Sequence, residues 1–173
     1  GHVSSAHHKD KYKALLSRTP IRLAQEQTFD EGDGWNPASI VWGETVISGV
    51  TIGLGSLHIC ENKPGPNGRL ARGHSHALRD FLGQRQTDRL VITGDFNNRV
   101  GDPAMELLHA VGVRSVWPEL KLGVQDAFTY SAVNSERLGV IDHFMIGKGR
   151  FARAIAGGII ELHQLLVKFL AEQ

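Results

Sequence analysis

Residues 90–98, with the sequence LVITGDFNN, constrain the fold of this chain more than any other segment. Their apolar, mostly β-branched beginning predicts a buried strand that stops at Gly94. Asp95 and Asn97 follow two positions apart, and alternate residues of an extended chain point the same way. A carboxylate and a carboxamide therefore leave the strand end side by side, which suits a divalent metal, a phosphate or both. A local Asx-turn without a ligand is the alternative.

The composition predicts one globular domain with a real core, since the chain has 173 residues of which 41% are hydrophobic. The formal charge of +1 gives no overall basic field, so any phosphate binding must be local. No apolar stretch reaches the roughly 20 residues of a membrane span. The lone Cys60 excludes an internal disulfide. We expect a cytoplasmic rather than a secreted protein, with residues 1–12 as a tag remnant or disordered lead and residues 13–173 as the domain.

Hydrophobic patterns predict an alternation of strands and helices. Strands are expected at 13–17, in a hairpin over 39–59 that turns at Ser48 and Gly49, at 89–93 and at 139–146. Helices are expected at 70–84 and from Asp102 and Pro103 to Val111, ended by Gly112. Further expectations are loops at 29–37 and 62–68, a short strand at 128–130, an extended segment at 150–160 and a strand or helix at 163–170.

Three further polar residues are candidates for a site. Asp142 interrupts an apolar run, and a carboxylate within a buried strand must be paired because isolated burial is costly. A structural salt bridge is the alternative for it. His58 ends a β-rich run and His163 lies near the C-terminus, and either histidine alone is equally consistent with a structural or surface role. The other histidines are interpreted as solvated or structural, and zinc is not expected with one cysteine and no clustered ligand pattern.

Several segments of the chain, taken in order, match the pattern of one known superfamily. They are residues 14–21 (ALLSRTPI), 56–59 (SLHI), 77–82 (ALRDFL), 93–97 (TGDFN), 128–130 (FTY) and 140–146 (VIDHFMI). Together they resemble the endonuclease/exonuclease/phosphatase superfamily, the group of deoxyribonuclease I and exonuclease III, over residues 14–167. The resemblance implies an α+β fold: two packed, mostly antiparallel β-sheets flanked by helices, a deoxyribonuclease I-like four-layer sandwich that is incomplete at its N-terminus.

The same resemblance implies roles for particular residues. Asp95 and Asn97 are the expected ligands of Mg²⁺ or Mn²⁺, and Asn97 also donates to a phosphoryl oxygen. Asp142 is expected to orient His163, which acts as general base or contacts the phosphate. His58 is expected to assist the leaving group. The catalytic set is thus His58, Asp95, Asn97, Asp142 and His163.

Two departures from the superfamily pattern bear on the metal. The superfamily begins with strands that end in Asn and in Glu, the Glu being the principal metal ligand, and both precede the segment that matches residues 14–21. Glu26 comes after that segment and is a poor substitute. Near the C-terminus Leu162 stands where the superfamily has a carboxylate before its histidine. We therefore expect weak Mg²⁺ binding.

The resulting hypothesis is a metal-dependent phosphoesterase that hydrolyses phosphodiester bonds, with nucleic acid as the expected substrate. Local arginines are candidates for backbone contacts, although a solvated helix face explains them equally well. The alternatives are a catalytically impaired fragment, a non-catalytic binding domain on the same fold, or a lipid or sugar phosphatase. Loss of the first strands would expose a sheet edge, so that a homo-oligomer or a missing N-terminal segment is also expected.

Overall fold

The computed structural model describes residues 2–4, 13–29, 38–59, 66–85, 89–118, 140–147, 159–160 and 164–165. Within these residues the elements, in chain order, are β1 (His2–Ser4), β2 (Ala14–Leu16), β3 (Arg22–Thr28), β4 (Ser39–Ile47), β5 (Val50–His58), α1 (Pro66–Gly83), β6 (Leu90–Asp95), α2 (Pro103–Ala110), β7 (Val113–Ser115), β8 (Asp142–Gly147), β9 (Ile159–Ile160) and β10 (Gln164–Leu165).

Six of these strands form one mixed sheet in the order β3-β4-β5-β6-β8-β7. Its pairings are antiparallel except for that of β5 with β6, which is parallel. Helix α1 connects these two parallel strands, as a crossover of this kind requires. β1 with β2, and β9 with β10, form separate antiparallel pairs. The expected α+β class, with mostly antiparallel sheets and flanking helices, is confirmed.

The core lies between one face of the six-stranded sheet and the two helices. Alternate residues of β4, β5 and β6 point into it, and α1 and α2 supply the opposite side. Its members include Ile40, Trp42, Leu57, Ile92, Leu78, Phe81, Leu82, Met105 and Leu108, each at most 7% exposed. Residues between these on the strands face away from the helices.

The other face of the sheet is covered in part by β2 and the turn that follows it. Leu15 of β2 is buried beside Gly43 of β4, where a β-carbon would meet its side chain. Thr45 of β4 donates to the backbone oxygen of Pro20 at 3.1 Å. Val41 and Thr45 are fully buried on this face. The residues that precede and follow β2 are therefore held against the sheet face that the helices leave open.

Most predicted elements are confirmed with shifted ends. The hairpin turns at Ser48 and Gly49, and α2 is followed by Gly112 at a φ of +87°. α1 begins at Pro66, inside the segment predicted as a loop, and β8 begins at Asp142, so that this aspartate opens its strand instead of lying within it. β3 and β7 were not predicted, and neither was β1, which lies within the segment expected to be a tag remnant or disordered lead. Residues 159–160 and 164–165 are extended, whereas 30–37 and 128–130 lie outside the described residues.

Asp102 was expected to cap α2 with its side chain, but it begins the helix in a different way. It holds the N-cap position and its backbone oxygen accepts the first helical hydrogen bonds. Its side chain, however, makes no cap hydrogen bond and accepts the backbone N–H of Arg99 at 2.7 Å. The Asp102 carboxylate thus closes the loop between β6 and α2.

Gly94 determines how closely β6 approaches β5. It pairs with Leu57 and has a φ of +146°, a region that residues with a side chain rarely adopt. A β-carbon at this position would overlap the backbone carbonyl of Leu57. Glycine is therefore required for the backbone contact that brings Asp95 beside His58.

Replacing Gly94 by alanine is expected to lower the free energy of unfolding by about 3 kcal/mol or more, because strain at this φ adds to a backbone clash. Urea denaturation measures the change. Gly73→Ala is the matched control: Gly73 is an exposed residue of α1 with open space around it, and alanine there should stabilise by about 0.5–1 kcal/mol. Equal stability of wild type and Gly94→Ala would contradict this account of the strand pairing.

Candidate functional site

Four polar residues form a row across four neighbouring strands of the main sheet. Ser39 of β4 pairs with His58 of β5, His58 pairs with Asp95 of β6, and Asp95 pairs with Asp142 of β8. Paired residues of neighbouring strands point to the same face, and this is the face opposite the helices. We refer to Ser39, His58, Asp95 and Asp142 as the polar row. Three residues predicted for the site, His58, Asp95 and Asp142, therefore lie side by side at the same end of neighbouring strands.

Asn97 joins the polar row through a tight turn after β6. Its backbone N–H donates to Oδ1 of Asp95 at 2.7 Å, which forms the Asx-turn considered from the sequence. Asn97 has a φ of +50°, the left-handed region that asparagine tolerates better than most residues. The turn directs its side chain back toward β5. The local turn and the site are thus the same structure, and the two sequence interpretations do not exclude each other.

The carboxamide of Asn97 is oriented by β5. Its Nδ2 donates to the backbone oxygen of Ile59 at 2.8 Å and lies 3.2 Å from Nε2 of His58. Both amide hydrogens are thereby directed at protein acceptors. The side-chain oxygen, Oδ1, is left as the atom that can face a ligand.

His58 is a neutral imidazole at pH 7. Burial lowers its pKa, the positive charge of Lys13 lowers it further, and Asp142 partly opposes these effects. Nε2 of His58 lies 3.8 Å from Oδ2 of Asp95, beyond hydrogen-bond range. Nε2 is therefore placed to accept the amide hydrogen of Asn97, with the ring proton on Nδ1.

Lys13 lies at the end of the polar row, and our sequence analysis did not single it out. Its side chain is 3% exposed, and Nζ donates to Oγ of Ser39 at 2.7 Å, at the end of the polar row. Burial lowers the pKa of Lys13 to about 8, although the carboxylate of Glu26 opposes the shift. A signal was present in the sequence: Lys13 is two positions before Leu15, and alternate residues share a face.

A buried network holds the strand ends that carry the site. Nε2 of His143 donates to the backbone oxygen of Asn98 at 2.8 Å, and its Nδ1 lies 3.1 Å from Oγ of Ser115. Burial lowers the pKa of His143, so its neutral form matches this pattern of one donor and one acceptor. The indole of Trp117 donates to the backbone oxygen of Asp142 at 2.9 Å. These contacts tie the turn after β6 to β8 and β7.

His163 cannot be compared with the polar row, because it lies outside the described residues, as does the FTY segment at 128–130. Its neighbours Gln164 and Leu165 pair with Ile160 and Ile159 as β10 and β9. The catalytic role of His163 stays a prediction.

The polar row and Asn97 carry oxygen atoms of the type that binds divalent metals. Oδ2 of Asp95, Oδ1 of Asn97 and the carboxylate of Asp142 are hard oxygen donors, and Mg²⁺ uses one or two carboxylates together with water and substrate oxygens. Throughout the part of the chain that the structure describes, no three His, Cys, Asp or Glu side chains are grouped so as to hold a metal ion. The donors therefore suit a weakly bound ion that a phosphate ligand completes.

Comparison with solved structures shows a deoxyribonuclease I-like fold. D. rerio TDP2 complexed with a single-strand DNA product matches at a TM-score of 0.57 and 14% identity, over 82% of this chain and 58% of that one. The 3'-5' exonuclease NExo from Neisseria meningitidis matches at a TM-score of 0.63 and 14% identity, over 91% of this chain and 71% of that one. A mannosyl-6-phosphatase from Bacteroides thetaiotaomicron matches at a TM-score of 0.60 and 15% identity, over 85% of this chain and 59% of that one.

The fold implied by the resemblance is thus confirmed, at sequence identities that show the fold alone. The chain spans less than two thirds of the length of the TDP2 and phosphatase structures. No protein-family model matches the sequence, and no curated protein matches it. Among the described residues, no helix has the length and apolar character needed to cross a membrane.

Proposed function

We propose that this chain hydrolyses phosphodiester bonds in nucleic acid, with Mg²⁺ or Mn²⁺ held at Asp95 and Asn97. The observation that carries the proposal is the convergence of Asp95, Asn97 and His58 at the ends of two neighbouring strands. The backbone nitrogen of Asn97 lies 2.7 Å from Oδ1 of Asp95, and its Nδ2 lies 3.2 Å from Nε2 of His58. Asp95 and Asn97 are close in sequence, whereas His58 is distant from both. Fold neighbours that include an exonuclease and a DNA-bound TDP2 support a phosphoester substrate.

The site residues are assigned separate tasks in this proposal. Asp95 would hold the cation through Oδ2, since its Oδ1 accepts the N–H of Asn97. Asn97 would contribute Oδ1 to the cation and no N–H to the phosphate, because its amide hydrogens point at Ile59 and His58. A bound divalent cation would neutralise charge on the phosphoryl oxygens.

His58 and Asp142 flank Asp95 on the two neighbouring strands. The neutral ring of His58 contacts the phosphoryl group or the leaving oxygen, which it reaches from the exposed part of the row, since its side chain is 38% exposed. Asp142, held at its backbone by Trp117, orients His163 as the superfamily pattern implies. His163 is then the general base of the proposed reaction.

A non-catalytic domain that binds phosphate is the second candidate function. It is favoured by the small number of metal donors among the described residues. A phosphatase for sugar or lipid phosphates uses the same site, and one fold neighbour is a mannosyl-6-phosphatase. The fold does not distinguish these candidates. The substrate assay must therefore include a phosphodiester, a sugar phosphate and a lipid phosphate.

Replacing Asp95 by alanine is expected to reduce metal-dependent hydrolysis of bis(p-nitrophenyl) phosphate and of a labelled single-stranded oligonucleotide to background, a loss of roughly a thousandfold. Asp95→Asn is expected to lose activity equally while keeping an acceptor for the N–H of Asn97. Asp80→Ala is the control, because Asp80 is 61% exposed on α1 and pairs with Arg79. Unchanged turnover in the Asp95 variants would refute the assignment.

Calorimetric titration with Mn²⁺ distinguishes the enzyme from a non-catalytic domain. We expect weak binding by the wild type, tightened by phosphate because substrate oxygens complete the shell. Loss of that binding in Asp95→Asn is expected as well. Absence of any metal binding with or without phosphate would favour the non-catalytic candidate.

We further propose that the open side of the sheet associates with a second copy of the chain. β3 is an edge strand of the main sheet and carries Leu23, which is 70% exposed. Three further apolar residues are exposed: Leu16 of β2 by 80%, and Ile47 and Val46 of β4 by 42% and 38%. Unpaired edges with apolar neighbours favour such contacts. Light scattering should then give a mass above that of the monomer, and Leu16→Glu with Leu23→Glu should restore the monomer. A monomeric wild type at high concentration would contradict this.

A further inference from the structure

Lys13 is a buried cation that the proposed reaction does not use. We propose that its ammonium group is a fixed part of the phosphate site and attracts the phosphoryl group in the absence of a metal ion. This inference rests on the proposed function, because it concerns the same site and the same class of ligand. It adds a source of positive charge that belongs to the protein itself.

The position of the ammonium follows from two contacts. Nζ of Lys13 is 2.7 Å from Oγ of Ser39, and Ser39 is the register partner of His58. The ammonium is therefore hydrogen-bonded to the residue that lies beside His58 on the neighbouring strand. The charge of Lys13 also lowers the pKa of His58, as expected of a cation close to that ring. The ammonium therefore lies at one end of the row whose other end carries Asp142.

Burial makes this charge more effective toward an anion. The side chain of Lys13 is 3% exposed, and a charge in such surroundings is screened little by water or salt. Even with its pKa lowered to about 8, most Lys13 is protonated at pH 7.

A structural ion pair with Glu26 is the competing explanation of Lys13. Glu26 lies on β3 and its carboxylate acts on Lys13 in the opposite sense to burial. The two explanations predict opposite effects of removing the carboxylate. Loss of the Glu26 carboxylate also lowers the pKa of Lys13 further, so the comparison is made below neutral pH, where Lys13 stays protonated. If Lys13 attracts phosphate, Glu26→Gln should then tighten phosphate binding, since a competing anion is lost; a purely structural pair predicts no gain.

Isothermal titration of the full chain with inorganic phosphate at pH 7 in the presence of EDTA tests the proposal. Wild type should bind phosphate, Lys13→Met should bind at least about tenfold more weakly, and Lys13→Arg should retain most of the affinity. Glu26→Gln should bind more tightly than wild type when both are titrated below neutral pH, where Lys13 is protonated in each. Arg18→Gln is the matched control, because it removes the same unit charge from an exposed position five residues away, and should not change binding.

Three results would overturn the proposal: equal binding by wild type and Lys13→Met, binding that requires Mg²⁺, or unchanged or weaker binding by Glu26→Gln. The last comparison decides the matter even if Lys13→Met does not fold, which thermal denaturation of each variant would reveal. The hydrolysis assay is independent of this test. Lys13-dependent phosphate binding without turnover would contradict the proposed reaction and leave the ammonium site standing.

Discussion

The pairing of β6 between β5 and β8 is the constraint on which the rest of this structure depends. It places Asp95 opposite His58 on one side and opposite Asp142 on the other. A slip of one residue would turn every side chain of β6 to the other face and separate all three groups. Gly94 secures this register, because only a residue without a side chain allows β6 to lie so close to the carbonyl of Leu57. Glycine before the aspartate is thus a requirement of packing that serves the site.

The site combines opposite charges. Asp95 and Asp142 lie at neighbouring positions, while the buried ammonium of Lys13 stands near His58 at the other end of the row. Like charges on adjacent strands repel each other. In the function proposed above, a divalent cation would lie near the two carboxylates and a phosphate would lie near the lysine.

The sequence predicted the elements whose residues have a strong pattern. The hairpin of β4 and β5, strand β6 and helix α2 followed from apolar periodicity and from turn and capping residues. β3 escaped prediction because its residues, among them Gln25 and Gln27, are mostly exposed and show no alternation. β7 is three residues long, too short for a pattern. α1 starts at Pro66, and proline is well suited to the first turn of a helix. The start was predicted too late because the neighbouring glycines indicated a loop.

The candidate site was predictable where residues are close in sequence and not where the sheet joins them. Asp95 and Asn97 are recognisable together, because two positions and a turn relate them. Their contact with His58 depends on strand register, which a single sequence does not encode locally. Lys13 was missed because a lysine at a strand end usually reaches water. Its burial follows from the packing of β2 on β4, a tertiary effect.

Amide NMR spectra of the ¹⁵N-labelled chain, recorded during a titration with inorganic phosphate, test the central claim that the polar row is a phosphate site. The account predicts that the largest shift changes fall at His58, Ile59 and residues 95–98, with smaller ones at Asp142. Largest changes near Arg85 and Arg89, which line a separate cavity with Trp42 at the other end of the sheet, would contradict it.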